Sequence, residues 1–497
     1  MSLQDIATTY LEKLCAGRTI IIFGLAQEGY STYHFLRKTL PHLSIIAADD
    51  KPITELSDNW QQALAQDSAL TYLSTTAPGY IETLTTSTQG DIPAVLIFKT
   101  PGIPFTHQFL QDLALAELED TYCSNTELFF AIITQLPLEM RPQTIGISGT
   151  KGKSTTTSLI YHVLSSAGKT VYLAGNIGVP VLHILEEIAA LPVDTYSEIL
   201  AVLELSSHQL QDLPYSPHIA VIQNVTPEHL DYYQDFEEYV AAKSSLTKHQ
   251  HADDYVVYNP QYEIPAEFAT ASPAQRLTYS LELEPPRVVG HIKNGIFFYN
   301  NTPITAIENL PLKGAHNLLN AFPAILIAEL FGIAPNQVTH AFKTFKPLPH
   351  RLEFVAEKNQ LKFYNDSQGT TPEAAIAALR SFPDNSVILL AGGSEKGVSF
   401  DEFAEEILEH GVKKLVLFPP TGVKIEGAVR AAAIQKQAEE RLPEITHAHS
   451  MQEAFDQATE AAAPGSVVLL SPACASFGLF KNYIDRGNQF KACVERL

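Results

Sequence analysis

Short apolar runs alternate with helical stretches along nearly the whole chain. Runs at 19–23, 44–48 and 95–98 come first, those at 144–147, 199–205 and 219–223 follow, and the last lie at 387–390, 415–418 and 467–470. Each is almost continuous in aliphatic and β-branched residues, as a strand buried on both faces of a parallel sheet requires. Between them, helical patterns such as 155–167 and 373–381 make βαβ units the economical reading. Proline breaks the rhythm twice, at Leu136-Pro-Leu-Glu-Met-Arg-Pro142 and at Phe345-Lys-Pro-Leu-Pro349. The pattern therefore predicts an α/β protein of three domains, at about 1–141, 142–346 and 347–497, the first and last Rossmann-like and the central one built on a parallel sheet. The stretch 255–312, richer in Pro, Asn and short strand-like pieces, reads as a β-rich insertion.

Composition narrows the function classes. Of 497 residues, 45% are hydrophobic and 18% charged, which is globular composition and argues against disorder. The net charge of −22 repels phosphate backbones, so a nucleic-acid coat or an anionic-membrane binder is disfavoured. No apolar run approaches the ~18 residues that span a bilayer, and the N-terminus lacks the basic start and apolar block of a secretory signal. Cys15, Cys123, Cys474 and Cys493 are far apart and form no Cys-x-x-Cys pair. Zinc-ribbon and disulfide scaffolds lose their basis, and a cytosolic protein is expected.

The strongest chemical signal is Gly146-Ile-Ser-Gly149-Thr150-Lys151-Gly152-Lys153-Ser154-Thr155-Thr156, set between a strand and a helix. Glycines let backbone N–H groups turn inward around phosphate oxygens, and the helix N-terminus adds partial positive charge. Lys153 would hold the β/γ-phosphates and Ser154 would reach Mg²⁺. Ile147 stands where the strict phosphate-loop pattern has its first glycine. An acid at the end of a neighbouring strand completes such sites, and Glu204 ends the run 199–204. Taken alone, Glu204 has a plainer but less favoured reading as an exposed strand end. Further on, Asn224-Val-Thr-Pro-Glu-His229 follows another strand, and Asp235-Phe-Glu-Glu238 caps a helix carrying Lys243. Alone, His229 and Lys243 read as a structural histidine and a solvated lysine.

The ordered series overturns those plain readings. The loop, Glu204-Leu-Ser-Ser, Asn224-Val-Thr-Pro-Glu-His229 and Ala241-Ala-Lys243 together resemble the Mur ligase family, in order and spacing, across its central ATPase domain. The last third is similar to the family's D-glutamate-adding branch through Leu348-Pro-His-Arg351, Asn365-Asp366-Ser367, Gly392-Gly-Ser-Glu-Lys396 and Ser471-Pro-Ala-Cys-Ala-Ser476.

The resemblance implies an ATP-dependent amide ligase: ATP phosphorylates the substrate's terminal carboxylate, and an amino-acid amine attacks the acyl phosphate. It implies that Gly149, Thr150, Lys151, Gly152, Lys153, Ser154 and Thr155 hold ATP phosphates, with Asn317 and Asn320 on the adenine and Arg351 and Asp366 on phosphate and ribose. Without the family, the two asparagines read as helix capping. It further implies two Mg²⁺ ions, with Ser154, Glu204, His229 and a carbamylated Lys243 as ligands. Lys153, His229 and Lys243 are then the catalytic set.

The substrates implied are UDP-N-acetylmuramoyl-L-alanine and D-glutamate, handled in the cytosol by a monomer, with L-glutamate or another amino acid as the alternative. The nucleotide-linked substrate would contact Gly24, Leu25, Ala26, Gln27, Asp49, Lys51, Gly102 and Asn176. The amino acid would meet Thr370, Lys396, Ser476, Phe477 and Tyr483, with Phe480 a further aromatic wall. Gln368 occupies a position where the family usually has lysine. Two rivals remain. Ile20-Ile-Ile-Phe-Gly24-Leu-Ala-Gln-Glu-Gly29 with Asp49-Asp50 suggests an NAD-dependent oxidoreductase, though the middle glycine of that fingerprint is absent. A noncatalytic nucleotide binder is the other, and intact Lys153, Glu204 and Lys243 count against it.

Overall fold

The structure is a computed structural model that describes residues 2–86, 95–115, 120–229, 232–394, 398–476 and 478–497. Three α/β layers follow one another along the chain. The first is a five-stranded parallel sheet in the spatial order Leu70–Ser74, Ile45–Asp49, Thr19–Phe23, Val95–Lys99, Asp120–Cys123. The second, also all parallel, has six strands in the order Gln275–Thr278, Tyr255–Tyr258, Ile219–Ile222, Gln143–Ser148, Ile199–Glu204, Thr170–Gly175. The third orders Glu353–Lys358, Leu361–Asn365, Val467–Leu470, Val387–Gly392, Lys414–Phe418, Glu444–His447; its first pair is antiparallel and the rest parallel.

Inner strands confirm the pattern logic. Ile199–Glu204, Ile219–Ile222 and Val387–Gly392 are buried at every position, which is why their sequences run apolar without alternation. The β-rich insertion expected at 255–312 is mixed. It gives the parallel strand 255–258 and the edge strand 275–278 beside it, the helix Glu263–Ala271, and a separate antiparallel sheet of Gly290–Lys293, Ile296–Tyr299 and Thr302–Ala306.

Two compact units are present. One comprises residues 1–307 and 320–342, and the other 308–319 and 343–497. The first two sheets thus share a unit and an apolar core, in which Leu128 and Phe129 of helix Asn125–Ile133 join Leu182 and Ile184 of helix Val181–Ala189; the other face of the first sheet has its own cluster around Phe23 and Phe109. Asn125 is a buried polar link there, donating to the Thr32 hydroxyl (3.1 Å) and accepting from Leu182 N–H (3.4 Å). Among the described residues no helix is long and apolar enough to cross a membrane.

Candidate active site

The phosphate loop joins the central strand Gln143–Ser148 to helix Lys153–Ser166, between strands that end at Ile222 and Glu204. Gly149 (φ +142°) and Gly152 (φ +89°) need glycine for conformation and for space. A Cβ on Gly149 would lie 2.5 Å from Gln223 Cβ, and one on Gly152 2.3 Å from Asn320 Oδ1. Asn320 is thereby set against the loop, and its carbonyl accepts from the Thr156 hydroxyl at 3.0 Å. Gly146 serves packing, since a Cβ there would meet Pro217 at 2.6 Å. Ile147 in the strict-pattern glycine position is a fully buried strand residue paired with Glu204.

Thr150 fixes the loop's centre. Its N–H donates to the Asn224 carbonyl (2.8 Å), and its buried hydroxyl contacts Thr226 carbonyl and Tyr239 hydroxyl, both at 2.9 Å. Lys151, more exposed, pairs with Glu228 at 2.6 Å. Lys153 donates to its own loop carbonyls at Gly149 (3.0 Å) and Thr150 (2.8 Å). Lys243, on helix Phe236–Lys248, donates to that same Gly149 carbonyl at 2.8 Å and lies 4.7 Å over the Tyr239 ring. Lys243 is therefore buried, unlike the solvated lysine it would be if read alone. Burial first, and the Lys153 charge second, hold its ammonium well below the ordinary lysine range, against the opposing pull of Glu228. Ser154 and Thr155 open the helix, Ser154 half-buried and Thr155 buried.

Glu204 is buried, not a solvated strand end. Its Oε1 accepts from Asn176 Nδ2 at 2.8 Å, while Oε2, equally enclosed, has no hydrogen-bond partner among the described residues. A buried carboxyl oxygen left unpaired is costly, and a cation beside it removes the cost. This fits a metal role for Glu204. Asn176, expected on the substrate, is held by Glu204 through side chain and backbone, its N–H donating to the Glu204 carbonyl at 2.8 Å. His229 adopts φ +58° and is exposed, its ring packed on His208 at 4.8 Å and 4.0 Å from Glu228 Oε2. Among the described residues no group of three His, Cys, Asp or Glu side chains could by itself hold a metal. The expected set draws instead on serine and a modified lysine.

In the first sheet, Asp49 organises the turn predicted for the uridine end. Its Oδ2 accepts from Leu25 N–H (2.7 Å) and its Oδ1 from Lys51 N–H (3.0 Å). Gly24 is stapled by its own N–H to the Ala48 carbonyl (3.0 Å) and by the Thr100 hydroxyl to its carbonyl (2.7 Å). Ala26 caps helix Gln27–Thr39 without a side-chain bond, and a Cβ on Gly102 would meet no atom within 4 Å. A cavity of about 580 Å³ beside Tyr232, with Phe105, Asp212 and Lys248 in its wall, touches none of the expected residues.

In the second unit, Asp366 is buried at the end of strand Leu361–Asn365. It accepts from the Ser471 hydroxyl (2.7 Å) and Leu352 N–H (3.0 Å). Burial nevertheless pushes its carboxyl up to about 6, against these bonds and the Arg351 and Arg486 charges. Arg351 donates to Gln368 Oε1 at 3.3 Å, so the residue in the lysine position faces the arginine. Asn317 donates to the Lys313 carbonyl at 2.7 Å. Ser476 is buried and Thr370 half-buried; the Tyr483 carbonyl accepts from Ser367 at 2.7 Å. Phe480 packs into the core against Phe418, with centroids 5.6 Å apart. Lys396 and Phe477 lie outside the described residues. Sequence reasoning missed Tyr239, Gln223 and the buried Arg486, whose residue types carry no signal until the loops they hold are in place.

A glycine loop between strand and helix, two converging lysines and a buried acid on the next strand define a nucleotide-dependent phosphoryl-handling enzyme in three α/β layers. Comparison with known proteins gives the particular family. Residues 147–328 match the Mur ligase middle domain and 350–474 the Mur ligase, glutamate ligase domain. The chain is 38% identical over 407 residues to the UDP-N-acetylmuramoylalanine--D-glutamate ligase of Symbiobacterium thermophilum, covering 81% of this chain and 84% of that one. It is 36% identical over 409 residues to the ligase of the same name from Clostridium tetani, covering 81% and 83%. In fold it is similar to UDP-N-acetylmuramate-alanine ligase from Thermotoga maritima (TM-score 0.56, 15% identity, 96% of this chain and 98% of that one). It is also similar to the Thermotoga maritima MurF ligase in complex with ADP (TM-score 0.54, 15% identity, 97% and 98%). The chain belongs to the Mur ligase family, the ATP-dependent ligases of peptidoglycan-precursor synthesis.

Proposed function

We propose that this ligase joins D-glutamate to the terminal carboxylate of UDP-N-acetylmuramoyl-L-alanine, in the cytosol and as a monomer, with release of ADP and phosphate. The functional division follows the chain: 1–141 takes the uridine end, 142–346 takes ATP, and 347–497 takes the amino acid. The observation that carries the reading is the Gly149–Lys153 loop following a strand whose Ile147 pairs with Glu204, on a chain 38% identical to a ligase of that name.

The acceptor carboxylate attacks the γ-phosphorus of ATP, forming a C–O–P acyl phosphate as the bond to ADP breaks. The amine of glutamate then adds to the acyl carbon, loses a proton, and the tetrahedral adduct expels phosphate. Three anions must meet, so cations dominate the barrier. Lys153, once drawn off its own carbonyls, neutralises the transferring phosphoryl group. The N–H groups of residues 151–154 hold the phosphates, on a loop that Thr150 N–H ties to the Asn224 carbonyl. Ser154 and Glu204 would hold one Mg²⁺, and His229 with carbamylated Lys243 a second; bound there, the ions neutralise phosphate charge. A buried lysine with depressed basicity keeps a free amine pair, so it can form an N–C bond to CO₂ and give up one proton. The unpaired Glu204 Oε2 supports the cation site. Measuring phosphate release with the UDP-linked acceptor and a panel of D- and L-amino acids tests the reading. Release with D-glutamate is expected, and a preference for a neutral amino acid sinks the glutamate assignment.

A further inference from the structure

Arg486 lies on the last helix, Tyr483–Arg496, and is completely buried. A guanidinium taken out of water ordinarily faces a carboxylate. Each of its hydrogen bonds here goes to a neutral oxygen. Nε donates to the Ser367 hydroxyl (3.0 Å), Nη2 to the Ser367 carbonyl (2.8 Å) and Cys474 carbonyl (3.1 Å), and Nη1 to the Ala475 carbonyl (3.3 Å). Burial brings the guanidinium down to about 10, with the Cys474 thiol and the Asp366 carboxyl pulling the other way.

These oxygens sit on two loops, one following strand Leu361–Asn365 and the other strand Val467–Leu470, neighbours in the sheet. A third loop is tied to them, for Ser394 N–H donates to the Ala475 carbonyl at 2.9 Å, and a Cβ on Gly393 would come within 3.2 Å of Nη1. Arg486 therefore stands where three adjacent parallel strands end, the place at which open α/β sheets bind ligands.

We propose that Arg486 is a positioning residue for the incoming amino acid: it clamps Cys474 and Ala475 against Ser367, fixing Ser476 relative to Asp366–Thr370, and gives the pocket a positive charge that favours an acidic side chain. This rests on the glutamate-ligase reading. The planar fork reaches three carbonyls and a hydroxyl at once, which lysine cannot do, whereas lysine keeps the charge.

The two effects separate in R486K and R486M, assayed as full-length enzyme beside thermal melts and amide hydrogen exchange. R486K should raise KM for D-glutamate about ten-fold or more, leave KM for the UDP-linked substrate within about two-fold, and retain the preference for glutamate over glutamine. R486M should add loss of that preference. Exchange should quicken in 366–370 and 474–476 in both. Variants in which kcat falls with the melting temperature while KM for glutamate stays put would reduce Arg486 to a fold-stabilising residue. If wild-type enzyme releases phosphate with no amino acid, the ligase reading fails, and unchanged exchange in the two loops of R486K overturns the clamp on its own.

Discussion

Two ammonium groups, of Lys153 and Lys243, donate to one carbonyl, that of Gly149. Like charges so close are tolerable only if one is neutral or an anion arrives between them. Lys153→Ala removes the cation facing the phosphoryl group, so kcat should fall about 10²–10³-fold in phosphate-release assays, with an unaltered melt. Near-normal turnover would refute the loop assignment. Lys243→Ala should be nearly inactive, and added short-chain carboxylic acids should restore part of the rate by supplying the missing oxygen donors. A fully active wild type that mass spectrometry finds unmodified would end the carbamate role. Asp366 gives a pH signature of stability. Its folded value of about 6 lies above the ordinary 3.8, so below about 4 it is protonated in both states and costs nothing. As pH rises to 6 the fold resists ionisation, and above that it carries the full penalty, on the order of 3 kcal/mol. Asp366→Asn should therefore melt higher than wild type at pH 8 and lose that advantage near pH 4.

At the level of elements, strands buried on both faces were legible because their apolar runs are uninterrupted, as at 199–204 and 387–392. The half-exposed edge strands Thr170–Gly175 and Glu444–His447 escaped, because a single covered face leaves no continuous run. The phosphate loop was legible because glycine, lysine and hydroxyl residues each have one physical job there. Arg486 was not, because an arginine in a terminal helix reads as solvated until the Ser367 loop, far upstream in sequence, and the Cys474–Ala475 loop close over it. The burial of Lys243 has the same origin, in the packing of its helix against the loop. A test of the loop as an element is Gly152→Ala. It forces an L-residue into φ +89° and sets a methyl against Asn320 Oδ1. Left-handed conformation costs about 1–2 kcal/mol. KM for ATP should rise roughly ten-fold, read by ATP titration at saturating acceptor, and an unchanged KM would mean that loop and asparagine do not jointly bind nucleotide.

Across the molecule, the decisive feature is that one face of the first sheet shares its core with the second sheet. Polar links reinforce it: Gln209 Nε2 donates to Glu28 Oε1 at 2.7 Å, and the Tyr232 hydroxyl donates to the Ile103 carbonyl at 3.2 Å. Damage that loosens the first sheet must therefore reach the ATP loop as well, and a selective effect on one substrate is informative. Asp49 offers the sharpest case. Its two oxygens hold the backbone N–H groups of Leu25 and Lys51, shaping the turn expected to receive the uridine end. A hydrogen bond to a charged group contributes about 1.5–3 kcal/mol. Asp49→Ala should therefore raise KM for the UDP-linked substrate about 10–100-fold, while KM for ATP stays near wild type, since no part of the Gly149–Thr155 loop leans on this carboxyl. Asp49→Asn, which keeps one acceptor, should fall between. Steady-state kinetics with each substrate varied in turn decides the matter. Parallel rises in both constants, with a lowered melt, would mean that Asp49 holds up the shared core and that the uridine site lies elsewhere.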